Sequence, residues 1–162
     1  MKKVLLSILI LLPVYLFFSL YFADKYYFLC PIEYQSDIVI RSDGMGEGIF
    51  GSRRSGGRMH QGLDLYAEVG TPILASRSGV VARTGRTRGM GNFIILKHPG
   101  DIFTVYGHLS EICVRPLELV RQGQVIGAVG KTGNANYENM QPHLHFEVRQ
   151  GGVAHDPADY LQ

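Results

Sequence analysis

The stretch Asn92-Phe93-Ile94-Ile95-Leu96-Lys97-His98-Pro99-Gly100-Asp101-Ile102-Phe103-Thr104-Val105-Tyr106-Gly107-His108 decides the fold. Two runs rich in β-branched and aromatic residues flank Pro99-Gly100. Residues 92–97 and 103–108 therefore read as the two strands of a hairpin. Outward from this pair, residues 63–66, 72–75, 79–84, 125–129 and 143–149 have the same character. Each run is short and bounded by Gly, Pro or Asn. Residues 37–41 make a further short strand, and 42–46 a turn. After the N-terminal stretch no segment carries a long amphipathic helical pattern. Residues 157–161 form one closing turn, with Asp156 as cap and Pro157 at its first position. About seven short strands and 20 glycines, many at turns, predict an all-β sandwich or barrel.

Three histidine motifs lie on or beside these strands. His143-Leu144-His145 puts two imidazoles on one strand face, about 7 Å apart at the backbone. Leu144 then faces the core. Tyr106-Gly107-His108-Leu109 supplies a third imidazole, and His60-Gln61-Gly62-Leu63-Asp64 a fourth with a carboxylate. His60 and Asp64 are four apart, a helical spacing, but Gly56, Gly57 and Gly62 argue against a helix. On a straight strand the two would stand too far apart to share an ion. A bend at Gly62 is needed to turn both side chains inward. Alone, each motif is commonplace, but together they supply the imidazoles and carboxylate of a zinc site. His98, before Pro99-Gly100, and His155, before Asp156-Pro157, read as solvated turn residues.

The chain resembles the lysostaphin-type (LytM-type) zinc endopeptidases that cut peptidoglycan peptides. The likeness runs from about Gly48 to Leu161. It includes Phe50-Gly51-Ser52-Arg53, Gly70-Thr71-Pro72-Ile73, Gly89-Met90-Gly91-Asn92, Gly123-Gln124-Val125-Ile126-Gly127 and Pro142-His143-Leu144-His145-Phe146-Glu147. The resemblance implies one Zn2+ held by His60, Asp64 and His145, with His108 and His143 as the catalytic pair. It implies an antiparallel sheet or barrel-sandwich domain of the duplicated-hybrid-motif kind. Residues 118–127 also resemble a hairpin of lipoyl and biotinyl carrier domains, which supports that architecture. As a carrier the chain would present Lys131, whose Gly130-Lys131-Thr132-Gly133 setting is ordinary for the peptidases. Residues 134–141 form a longer loop than the family's usual link, and should flank the cleft. Two imidazoles and one carboxylate leave a fourth position open, as catalytic zinc requires. The chain has no His-Glu-x-x-His, so proton transfer falls to His108 and His143. Glu147, two residues past His145, either holds a ligand's second nitrogen or pairs with an arginine. The expected function is hydrolysis of peptidoglycan stem peptides or cross-links. The alternative is a non-hydrolytic member that binds peptidoglycan or activates an amidase. An inhibitory lead-in is a further possibility, in which Glu33, Asp37, Asp43 or Glu47 reaches the metal.

The chain has 162 residues, enough for one domain and an appendage. Residues 4–23 carry no charge after Lys2 and Lys3. A helix of that length spans about 30 Å, one bilayer core. Residues 1–23 are thus expected to be a transmembrane anchor, in preference to a cleaved signal peptide, which wants small residues where Tyr21 stands. Residues 24–47 are a tether and lead-in, and 48–162 the peptidase domain. Lys2 and Lys3 place the N-terminus in the cytoplasm and the domain outside it, next to the wall. Without those two, 14 of the 16 Lys+Arg face 14 Asp+Glu, so nothing suggests nucleic acid as a partner. The clusters Arg53, Arg54, Arg58 and Arg83, Arg86, Arg88 are solvated loops, or dock peptide carboxylates or anionic wall polymer. Cys30 and Cys113 are the only cysteines; Cys113 reads as a buried small hydrophobe or a disulfide partner.

Overall fold

The computed structural model describes residues 2–21, 23–25, 27–34 and 37–161. It begins with a helix, α1 (Lys2–Tyr21), with Pro13 inside it. The strands follow in order. A small hairpin comes first, β1 (Ser42–Asp43) and β2 (Gly46–Glu47). Then come β3 (Leu63–Tyr66), β4 (Pro72–Leu74), β5 (Gly79–Thr87), β6 (Gly91–His98) and β7 (Ile102–Leu109). The last are β8 (Glu111–Ile112), β9 (Leu119–Val120), β10 (Val125–Ala128), β11 (His143–Gln150) and β12 (Val153–His155). One turn of 3-10 helix closes the fold at Pro157–Asp159, where the Asp156 carboxylate accepts from the Ala158 amide.

The architecture is all-β. The large sheet has seven strands in the order β12-β11-β7-β6-β5-β9, with β3 added against β11. A three-stranded sheet, β4-β10-β8, supplies the second layer. Every pairing is antiparallel. Alternation along the strands sends Ile94, Leu96, Tyr106, Leu144 and Phe146 inward from the large sheet. They meet Ile73 and Ile126 from the small one in a single core. The hairpin around Pro99-Gly100 forms as its composition predicts, with Gly100 and Asp101 at positive φ of 84° and 57°.

Several expectations are corrected. Residues 37–41 are not a strand; only Ile40 bridges, to Leu65. His98 is no turn residue but is 2 % exposed, with Nδ1 donating to Ser78 O at 3.0 Å and Nε2 paired with Thr104 Oγ1 at 2.8 Å. β6 runs one residue past its expected end at Lys97, so His98 closes the strand facing the core. His155 ends β12 half-buried, its ring edge-on to Tyr160. Cys30 and Cys113 are free thiols, and Cys113 is exposed. Among the described residues no helix is long and apolar enough to cross a membrane. The transmembrane character expected of residues 1–23 thus gains no support from α1. The side chains of its residues 2–8, 10, 17 and 20 lie outside the description. The lead-in is more than a tether, because Phe28 and Ile32 are buried in the main core.

Candidate metal centre

β11 runs between two partners at the site. His145 lies opposite Asp64 of β3 on one edge and Gly107 of β7 on the other. Pairing alone therefore brings a carboxylate and an imidazole together across one ladder. His60 precedes β3 and is held by two backbone bonds, its N–H donating to Ser52 O and its O accepting from the Gly51 amide, both at 2.9 Å. Gly62 makes the required close approach to β11. A Cβ there would lie 2.3 Å from Phe146 O and 2.9 Å from Glu147 Cγ.

Three donor atoms converge. His60 Nε2, Asp64 Oδ1 and His145 Nδ1 stand 2.9–3.0 Å apart. Donors about 2.0–2.2 Å from a tetrahedral zinc would stand about 3.3 Å apart, so a small outward shift admits an ion. The opposite atom of each residue is already committed. His60 Nδ1 donates to Ile49 O at 2.9 Å, which leaves Nε2 bare in the neutral ring. His145 Nε2 faces Glu147 Oε1 at 3.0 Å, which frees Nδ1. Asp64 Oδ2 accepts from Arg41 Nη2 at 3.1 Å and Arg54 Nη2 at 2.9 Å, which leaves Oδ1 for an ion. These outer bonds fix tautomer and aim, as the partners of metal ligands do. Glu147 performs both roles weighed for it, because Arg149 Nε also donates to Oε2 at 2.6 Å.

The three residues also set one another's protonation. Burial alone would raise the Asp64 pKa, but the bonds from His145 and His60 drive it far below the usual carboxylate range. Burial alone would lower the His145 pKa, but Asp64 and Glu147 outweigh it and raise it to about 9, so near neutral pH the ring holds a proton on Nδ1 that an arriving cation displaces. The site thus holds a firm negative charge at Asp64, matched to a cation.

His108 and His143 flank this triangle, with ring centroids 5.0 Å apart. Between the pairs Asn92–Leu109 and Ile94–Tyr106, Phe93 alone of β6 faces Gly107 and His108 of β7, so β7 bulges there. His108 sits in the bulge at a φ of 65°, a conformation rare without a function to hold it. Its Nδ1 donates to Thr132 O at 3.0 Å, and His143 Nδ1 donates to Gln141 O at 2.8 Å. Both neutral rings therefore keep a bare Nε2. Burial, then the neighbouring imidazoles, push His108 down to about 3, and burial also lowers His143. The structure thus brings all five expected residues together.

Arg41 and Arg54 are the residues that sequence reasoning missed. Arg41 is 2 % exposed and also binds Asp43 Oδ1 at 2.6 Å, while Asp43 Oδ2 accepts from the Gln141 amide at 2.9 Å. The lead-in thus braces both Asp64 and the approach to His143. Its acids do not join the metal group: Asp43 faces Arg41 and Gln141, and Glu47 accepts from Ser42. Arg54 had only its place in an arginine cluster as a signal.

Residues 58–157, more than half the chain, match the sequence profile of Peptidase family M23. The chain belongs to that family. Its M23 domain is 41 % identical over 100 residues to the DD-carboxypeptidase/endopeptidase Mpg of Neisseria meningitidis, covering 62 % of this chain and 22 % of that one. It is 35 % identical over 113 residues to the murein hydrolase activator NlpD of Escherichia coli, covering 69 % of this chain and 28 % of that one. The chain thus spans only about a quarter of these curated relatives. The catalytic domain of lysostaphin from Staphylococcus simulans superposes with a TM-score of 0.61 at 33 % identity, over 74 % of this chain and 90 % of that one. Both hydrolases and an activator therefore stand among the M23 relatives.

Proposed function

We propose that this M23 protein is a zinc-dependent endopeptidase that cuts amide bonds in peptidoglycan stem peptides or cross-links. One observation carries the reading: the converging donors of His60, Asp64 and His145, each with its opposite atom committed. These residues would hold the ion. Zinc bound there would supply polarisation of a carbonyl and a water made nucleophilic near neutral pH. His108 and His143 keep Nε2 bare, so either accepts a proton from the attacking water. The protonated ring then donates to the leaving amine, and the two histidines divide these tasks. The names of Mpg and of the peptidoglycan DD-endopeptidase ShyC of Vibrio cholerae support a wall peptide as substrate.

The second reading is an activator that binds peptidoglycan without cutting it, favoured by the likeness to NlpD. The two part on one assay. Full-length protein with one equivalent of zinc is incubated with purified peptidoglycan, and the products are read by mass spectrometry. New stem-peptide fragments that vanish with His145→Ala or chelator are expected. Stoichiometric zinc with no fragments would leave the activator reading. We place the domain outside the cytoplasm, held to the inner membrane by α1. Residues 4–23 lack charge, and Leu9, Leu11, Leu12 and Tyr15 of the helix stand exposed. Release of the protein by salt washing of membranes would overturn that attachment.

A further inference from the structure

A second feature lies beside the metal centre. A cavity of about 600 Å³ opens between the end of β5 and the loop after β10. Arg86, Arg88 and Lys131 line it with Thr87, Thr132 and Asn136, and no carboxylate shares the lining. Among the described residues no ion pair engages any of the three cations. Lys131 Nζ reaches only the Glu138 carbonyl, at 3.5 Å. Three cations facing one concavity repel each other unless an anion joins them.

The floor of this pocket is fixed. Gly133, at a φ of 68°, packs so closely that a Cβ would lie 2.2 Å from the Gly91 amide. The Asn134 amide donates to Gly89 O at 2.9 Å. Thr132 Oγ1 accepts from the Asn92 amide at 2.9 Å and donates to Leu109 O at 3.0 Å. That hydroxyl is spent on structure, so the cations carry recognition. Thr132 also ties the pocket to the chemistry, because its carbonyl is the partner of His108 Nδ1. Thr132 thus stands both in the lining of the cavity and against His108.

We propose that this pocket binds a free carboxylate of the substrate peptide, close to the scissile bond, and so selects acidic peptides over amidated or glycine-only ones. The inference rests on the peptidase reading and names what that site prefers. Guanidinium groups suit it, because each can grip a carboxylate through two parallel N–H donors. The occupant is a small anionic group, because three cations and no carboxylate line the cavity.

The test uses two synthetic stem peptides, identical except for a carboxylate or a carboxamide beside the cleaved bond. Wild-type full-length protein is expected to prefer the carboxylate about tenfold or more in kcat/KM, chiefly through KM. In Arg86→Ala/Arg88→Ala the ratio between the two peptides falls towards one. Arg86→Lys/Arg88→Lys, which keeps charge but loses the two-donor grip, falls between. An unchanged ratio in the double alanine variant would overturn the proposal. So would equal wild-type rates on the two peptides. Binding to the zinc-free protein, measured by calorimetry, separates the two layers of the argument. If neither peptide is cut but the carboxylate form binds better and the double variant erases that difference, the peptidase reading fails and the pocket stands. If the variant instead loses only binding to poly(glycerol phosphate), the pocket serves a wall polymer and the proposal is wrong.

Discussion

Asp64 is the residue on which the site turns. Its two oxygens divide the work, with Oδ1 facing the imidazoles and Oδ2 facing Arg41 and Arg54. Two guanidinium groups on Oδ2 hold the carboxylate so that it offers one oxygen to a cation. Arg54→Ala should therefore weaken zinc binding about 10–100-fold, measured by chelator competition. Arg41 is the more deeply placed of the pair, 2 % exposed against 22 % for Arg54. Arg41→Met leaves two acids without their buried partner and should cost about 3–5 kcal/mol in chemical denaturation. His98 gives the fold a pH dependence. Burial lowers its pKa, so the folded core prefers the neutral ring. The unfolded chain protonates near pH 6.5, so this contribution is complete above that pH and is lost as pH falls towards the folded value. Melting of chelator-treated protein should drop between about pH 7.5 and 5.5, and His98→Gln should flatten the slope.

At the scale of elements, the centre is made by β11 held between β3 and β7. The close contact of Gly62 with β11 permits it. Gly62→Ala should push the chain off Phe146 O and carry His60 away from His145. About 1–3 kcal/mol of stability should go, and zinc affinity with it. Melting and metal titration together would separate this from simple loss of fold, because Gly85→Ala lies away from the site and should leave zinc affinity intact. The strands were readable because period-2 alternation and Gly or Pro boundaries are local signals. Residues 63–66 match β3 to the residue, and β5 runs three residues past its expected end. That His60, Asp64 and His145 converge was legible from motif order together with the family resemblance. The brace was not, because Arg41 and Asp64 are 23 positions apart and only tertiary folding joins them. His98 was misread because Pro99 and Gly100 are turn residues whatever the histidine before them faces.

At the scale of the whole molecule, the lead-in and the peptidase layers share one core. Phe28 and Ile32 are buried with Leu96 and Phe146, and Asp24 Oδ1 accepts from the Ser78 amide at 2.9 Å. A chain starting at residue 48 loses the Phe28 anchor and Arg41 together. It should melt well below the full chain, with at least about 3 kcal/mol lost from the aromatic alone. Equal melting temperatures for the two would show that the lead-in is only a tether. The most direct test of the central claim is anomalous diffraction at the zinc edge from crystals of the protein with one equivalent of zinc. The account predicts a single peak within bonding distance of His60 Nε2, Asp64 Oδ1 and His145 Nδ1, with His108 and His143 unligated. A peak elsewhere, or His108 or His143 bound in place of one of the three, would contradict it.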